Sequence, residues 1–390
     1  MELHQQVWEN LLYHQQGEQW PMPCLQQPRN ACIVNLLQAL IMQISKANGP
    51  IIWLTNLRVI ATLAVILIHS AANLLLSFHR VPDALWWNAN VYNGCMRFAV
   101  PIFVMLTGAL VLGKEEPYGA FVSKSFQRIV VPFLFWNIFF VYFNWAVRMR
   151  GRSFHSVEEL IRWIGQQYFT GGSYHFWYVY MVIGLYLFIP IMSTWIRMAS
   201  EKQIQYFLGI WLLTIIFNNP HFPVLDSPVP LPYFTGYLGY LVLGYYLRHK
   251  DFSNLSQIRF WAMALFVIGT AWTLIGTYQL SLRDGKFYGL LYANFSPSVV
   301  LSTAGLFLLC KYFPFEIRVL IPLREWISSH SYGIYLVHIL VLFYIAKLGI
   351  HYKLVHPSLG IPVTAFSCLL ISGAIVWLLR KIPGGAKVSG

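Results

Sequence analysis

The chain has 390 residues, of which 57% are hydrophobic and only 11% charged, with a mean hydropathy of +0.55. Soluble proteins carry about 25% charged residues, and a soluble core of this size could not hide so much apolar surface, so the composition places the chain in a membrane. The excess of 27 Lys and Arg over 14 Asp and Glu then reads as the basic inner loops of a membrane protein, and nucleic acid is excluded as an expected partner.

Residues 1–50 differ from the rest. They are rich in Gln (Gln5, Gln6, Gln15, Gln16, Gln19, Gln26, Gln27) and hold only Arg29 and Lys46 as cations, which fits neither a secretory signal nor an amphipathic anchor. We expect a dispensable N-terminal extension, with Met42 a natural start; loss of membrane insertion in a chain beginning at Met42 would refute this.

From residue 51 the pattern predicts an all-α fold, a polytopic membrane helical bundle of about ten transmembrane helices, each near the roughly 20 residues that cross the hydrocarbon. The expected spans are Ile51–Leu76, Val91–Leu112, Ile129–Val147, Phe176–Ile196, Tyr206–Phe217, Tyr233–Leu247, Phe260–Leu280, Pro297–Phe313, Ser331–Leu348 and Leu359–Leu379. Residues 51–380 make up the transmembrane domain and 381–390 a cytoplasmic tail. The distribution of Lys and Arg puts both termini in the cytoplasm. One loop dissents: Arg148, Arg150, Arg152 and Arg162 fall on the outer side, either as an ordinary solvated loop or as a face for an anionic substrate.

The polar groups within this apolar sequence are few. Arg58 and His69 share the first span and lie eleven residues apart, three turns plus roughly 20°, so they occupy one face about 16 Å apart along the axis. Titratable groups inside a span are costly and usually serve a function; the bland alternative is an Arg58 that snorkels to the headgroups and a His69 that bonds a neighbouring helix. Arg97 opens the second span, ahead of Pro101 and Gly108, which invite a kink and close helix packing. Lys124 and Arg128 precede the third, as a basic lip suited to phosphates or as simple positive-inside charge.

At the outer edge of the fourth span come His175 and Trp177. An aromatic belt explains Trp177 but does not require His175. In the ninth span Ser331, Tyr335 and His338 fall at i, i+4 and i+7, one polar stripe that also suits interhelical hydrogen bonding. The five cysteines, Cys24, Cys32, Cys95, Cys310 and Cys368, show no CxxC spacing, and Walker, HExxH, GxSxG and dinucleotide motifs are absent, so neither a metal site nor a bound cofactor is expected.

In order along the chain, Arg58-x10-His69, Val100-Pro101-Ile102-Phe103 with Thr107-Gly108, the basic run ending Arg128 with Ile129 and Pro132, His175-Phe176-Trp177, and Ser331 with Ile334-Tyr335-Leu336 and His338 resemble the acyltransferase family 3 membrane proteins. The resemblance runs from about Asn56 to Arg380. In general look the chain is similar to the bacterial inner-membrane O-acetyltransferases of cell-surface glycans, that of enterobacterial common antigen among them. One departure is Ser125-Phe126-Gln127-Arg128, where the family commonly shows Arg-x-x-Arg; only Lys124 supplies a second charge, without the guanidinium fork.

The resemblance implies acyl-CoA, usually acetyl-CoA, as co-substrate, arriving from the cytoplasm, and a glycan hydroxyl as acceptor. Arg58 and His69 would match the family's essential pair, with His69 as general base or transient acyl carrier. Lys124, Arg128 and Arg97 are assigned to the donor, His175 and Trp177 to the acceptor, and Ser331, Tyr335 and His338 to the path between. The partners expected are acyl-CoA, the glycan and the bilayer, and the sequence is compatible with a homodimer. The competing class is a transporter or flippase of a lipid-linked glycan or small anion, which the spans and the Pro and Gly breaks also suit. Against it stand the lack of an obvious internal repeat and of Asp or Glu within the spans.

Overall fold

The computed structural model describes residues 51–151, 153–170, 172–217, 232–253 and 256–390. The extension at 1–50, with Met42, Cys24 and Cys32, and Arg152 of the basic loop lie outside the described residues. Within them the protein is all-α, with no strand. Its helices are α1 (Ile52–Leu75), α2 (Asp83–Gly94), α3 (Ala99–Val111), α4 (Tyr118–Ser125), α5 (Val131–Phe143), α6 (Val157–Thr170), α7 (Trp177–Met198), α8 (Glu201–Phe217), α9 (Pro232–His249), α10 (Ile258–Asp284), α11 (Pro297–Tyr312), α12 (Ile321–Lys347) and α13 (Pro357–Lys381). Among the described residues, eight helical segments are long and apolar enough to cross a membrane; the fifth and sixth expected spans form the shorter helices α8 and α9.

Two of the breaks follow proline. A proline ring clashes with the carbonyl four residues back and offers no N–H to it. Pro101 stands four residues after Arg97, and the second span divides there into α2 and α3, with Arg97 in the irregular turn between them. Pro132 stands four residues after Arg128, and the chain takes a π turn over Phe126–Val130 before α5 begins. A second π turn, Asn144–Arg148, ends α5.

Besides the short helix α4, which precedes the expected third span, two features were not expected from the sequence. Residues Val157–Thr170, read as loop, form the amphipathic helix α6, with Val157, Ile161 and Ile164 exposed on one side. Residues 381–390, read as a cytoplasmic tail, fold back on the bundle: Ser389 is buried, and Trp136 Nε1 donates to the Val388 carbonyl at 3.1 Å.

Helix α1 is the hub. It packs against α2, α3, α11, α12 and α13, and its run from Leu54 to Leu75 is buried on most sides. The most extensive helix pairs are α10 with α11 and α3 with α9. Small residues close both. Gly108 of α3 abuts the Leu241 backbone of α9, and Gly244 of α9 abuts the Met105 backbone of α3. Gly269 and Gly305 do the same between α10 and α11. With no hydrophobic force between helices in lipid, such backbone approach supplies the packing.

Candidate active site

The polar groups of α1 meet those of α12 at two levels. Near the start of α1, Arg58 Nη1 donates to Ser328 Oγ at 3.5 Å. Three turns on, the His69 and His338 rings stand 5.2 Å apart. Because 58 pairs with 328 and 69 with 338, α1 and α12 run parallel and nearly in register. The ring of His175 joins this level, 5.0 Å from His338 and 5.4 Å from Tyr335.

The hydrogen bonds fix the tautomers of two of these rings, since a carbonyl only accepts. His338 Nδ1 lies 2.6 Å from the Tyr335 carbonyl and so carries the proton, leaving Nε2 as a buried lone pair with no partner among the described residues. His175 Nε2 donates to the Leu336 carbonyl at 3.4 Å, so its Nδ1 accepts from Ser173 Oγ at 2.8 Å. The Tyr335 hydroxyl donates to the carbonyl of His175. His338 and His175 are buried, whereas His69 is half-buried and its Nδ1 meets the Tyr174 hydroxyl at 3.1 Å. Tyr174 is itself 59% exposed, so the cluster opens to the surroundings through Tyr174 and His69.

Arg97 sits at this level and not with the basic lip. Its guanidinium lies 4.0 Å over the Tyr292 ring and donates to Asn93, whose own amide donates to the Ile68 carbonyl of α1 at 2.8 Å. It is near enough to His69 for their charges to interact. Lys124 and Arg128 are exposed at the other end; Lys124 pairs with Glu116 at 3.2 Å, and Arg128 stands within electrostatic reach of Arg58 and Tyr186. Glu116 also lines a cavity of about 160 Å³ together with Lys114 and Arg197.

The structure thus brings together His69, Arg97, His175, Tyr335 and His338 at one level, and Arg58 with Arg128 at another. It separates His175 from Trp177. The histidine turns into the core against Phe140 and Phe176, while Trp177 is 44% exposed and faces Tyr237. Ser331 is half-buried, and the serine that meets Arg58 is Ser328, one turn earlier. Among the described residues no group of three His, Cys, Asp or Glu is arranged to hold a metal ion.

Sequence reasoning passed over Tyr174, Ser328, Asn137 and Asn144. The two asparagines lie seven residues apart on α5 and its π turn, one face of a helix, and that spacing in an apolar run was a readable signal. They clamp the chain that leads to Tyr174 and His175: the Gly172 amide donates to Asn137 Oδ1 at 2.7 Å, and Asn144 Nδ2 donates to the Gly172 carbonyl at 2.7 Å.

No curated protein and no solved structure matches this chain. A family model described as an acyltransferase domain matches residues 51–379, which spans every helix named above except the last turn of α13. The chain belongs to the membrane acyltransferases of family 3.

Proposed function

We propose that this protein is a multi-pass enzyme of the bacterial inner membrane, with both termini cytoplasmic, that moves an acetyl or other short acyl group from cytoplasmic acyl-CoA to a hydroxyl of a cell-surface or lipid-linked glycan, enterobacterial common antigen being one candidate. The observation that carries this reading is the alignment of Arg58 and His69 on one face of the central helix, each meeting a polar group of α12.

In this reading the donor enters at the Arg58 end. Lys124, Arg128 and Arg58 hold its phosphates and thioester region by charge-assisted hydrogen bonds, with Lys114 and Arg197 as further cations nearby. The long arm of CoA carries the thioester toward His69. The acceptor hydroxyl approaches past Tyr174, and His69 removes its proton as the oxygen attacks the thioester carbonyl. The C–S bond breaks, the acyl group passes to the sugar oxygen, and the CoA thiolate takes up the proton. Arg97, at the level of His69, is placed to stabilise the oxyanion that forms on the way. A transient acyl group on His69 is the variant of the same route, since imidazole is a nucleophile.

The test is transfer of labelled acetyl from acetyl-CoA to extractable glycan in membranes that contain the intact chain, beside a His69→Ala variant of verified expression. Label in glycan that falls by about 10²–10⁴-fold in the variant is expected for a lost general base. Label that persists in the variant removes His69 from the chemistry. No label at all, with native glycan present, refutes the transferase reading.

A further inference from the structure

A groove that shares no lining residue with the buried cluster opens between α5 and α6. It has a volume of about 440 Å³, within the range of small-molecule sites, and an almost wholly apolar lining that includes Ile138, Tyr142, Trp145, Leu160, Trp163 and Ile164. A sugar ring needs partners for its hydroxyls, and this lining offers nearly none, so the aromatic residues here suit hydrocarbon and not carbohydrate. A charge stands three residues along the chain from its lining. Trp145 belongs to the π turn Asn144–Arg148, which delivers Arg148 within electrostatic reach of Tyr174, the residue bonded to His69. Arg162 is paired with Glu158 at 2.5 Å, whereas neither Arg148 nor Arg150 has a carboxylate within ion-pair reach among the described residues. An apolar trough with an arginine free of carboxylate partners in the adjoining π turn suits a long hydrocarbon chain joined to an anion, and phosphate is the anion that joins a lipid to a glycan.

We propose that this groove is the docking site of a lipid-linked acceptor, its chain lying between α5 and α6 and its phosphate on Arg148, which delivers the attached sugar to Tyr174 and His69. This rests on the acyltransferase reading for the identity of the reacting group. A bulk membrane lipid is the other source of the same chemistry, and competition with phosphatidylglycerol separates the two. The electrostatic reach of Arg148 to Tyr174, which is hydrogen-bonded to His69, favours the substrate.

The test uses the intact chain reconstituted in phosphatidylcholine nanodiscs, with labelled polyprenyl phosphate as the probe and unlabelled polyprenyl phosphate, polyprenol and phosphatidylglycerol as competitors. Saturable binding is expected, with phosphatidylglycerol and polyprenol competing at least tenfold more weakly than polyprenyl phosphate. Leu160→Trp, which fills the groove from an amphipathic surface helix, is expected to weaken binding at least tenfold. Arg148→Gln is expected to erase the preference for phosphate over polyprenol while polyprenol itself still binds. Unchanged thermal stability of both variants secures the comparison. Equal competition by phosphatidylglycerol, or full affinity in Leu160→Trp, overturns the proposal. Binding is read here without acyl-CoA, so a chain that binds the probe and transfers no acetyl refutes only the acyltransferase reading, and one that transfers acetyl without binding the probe refutes only the groove.

Discussion

His69 and His338 face each other with their rings 5.2 Å apart, from two parallel helices that are also joined three turns away by Arg58 and Ser328. His338 is held by its Nδ1 proton on the Tyr335 carbonyl, and its Nε2 lone pair is buried with no partner among the described residues. An orphan acceptor costs free energy, and a protein keeps one where it is used. We therefore expect His338→Phe, which keeps a ring of similar size and removes the lone pair, to lower kcat by about 10²-fold, the lower end of the range for groups that assist proton transfer. The KM for acyl-CoA should not move. If His338 only packs, kcat will stay at the parental value.

Arg58 offers a second test, of shape and not of charge. A guanidinium can grip a phosphate or a thioester oxygen with two parallel N–H groups while still bonding Ser328, and an ammonium cannot. Arg58→Lys is expected to raise the KM for acyl-CoA by about tenfold, the loss of one charge-assisted hydrogen bond of about 1.5 kcal/mol. Ser328→Ala, by contrast, should change it by less than threefold, because the 3.5 Å bond orients Arg58 and is long. Equal kinetics for Arg58→Lys and the parent would show that only a positive charge is needed there.

How much of this was readable in the residues depends on what each reading rested on. The hub helix was legible because a 24-residue apolar run with two basic groups admits few structures. The stripe of Tyr335 and His338 was legible by helical period, yet Ser328 was missed because the apolar pattern starts at Ser331, whereas the helix starts at Ile321. Helix α6 was missed although Val157, Leu160, Ile161 and Ile164 recur at helical spacing, because Glu158, Glu159 and Arg162 exclude the stretch from a membrane span and it was read as loop. The positions of Arg97 and His175 were not legible at all. Which way Arg97 turns follows from the break that Pro101 imposes and from Asn93 on the preceding helix, and whether His175 faces lipid or core follows from the clamp at Gly172. Those are contacts between elements, and periodicity within one element carries no information about them.

The Gly172 clamp itself can be tested. A Cβ at this position would lie 2.9 Å from Asn137 Oδ1 and 3.0 Å from both the Asn137 carbonyl and Phe140 Cβ. An added methyl must displace the two asparagine bonds that fix the approach to Tyr174 and His175. Gly172→Ala is expected to cost about 1–3 kcal/mol by overpacking and to reduce transfer by about tenfold or more through misplacement of Tyr174. Asn144→Ala should reproduce the loss of activity by releasing the same carbonyl. Retention of full activity by both would show that the chain reaches His69 without the clamp.

The crossing of α3 and α9 gives a prediction about stability alone. Gly108 and Gly244 face each other's helices, and a Cβ on Gly244 would lie 2.5 Å from Met105 Cα and 2.6 Å from its carbonyl carbon, with backbone on the far side and no flexible side chain to give way. The helices must therefore move apart, and the packing they lose is what holds them together in a solvent as apolar as themselves. Gly244→Ala is expected to destabilise by about 1–3 kcal/mol, and Gly244→Leu by more, read as a lowered unfolding temperature in detergent. Gly184, which lies on α7 with open space where its Cβ would stand, serves as the control. Gly184→Ala should leave stability unchanged or raise it, since alanine favours the helix by up to about 1 kcal/mol over glycine. Equal effects at the two positions would mean that α3 and α9 are not held by backbone approach, and the close pairing of those helices would have to be abandoned.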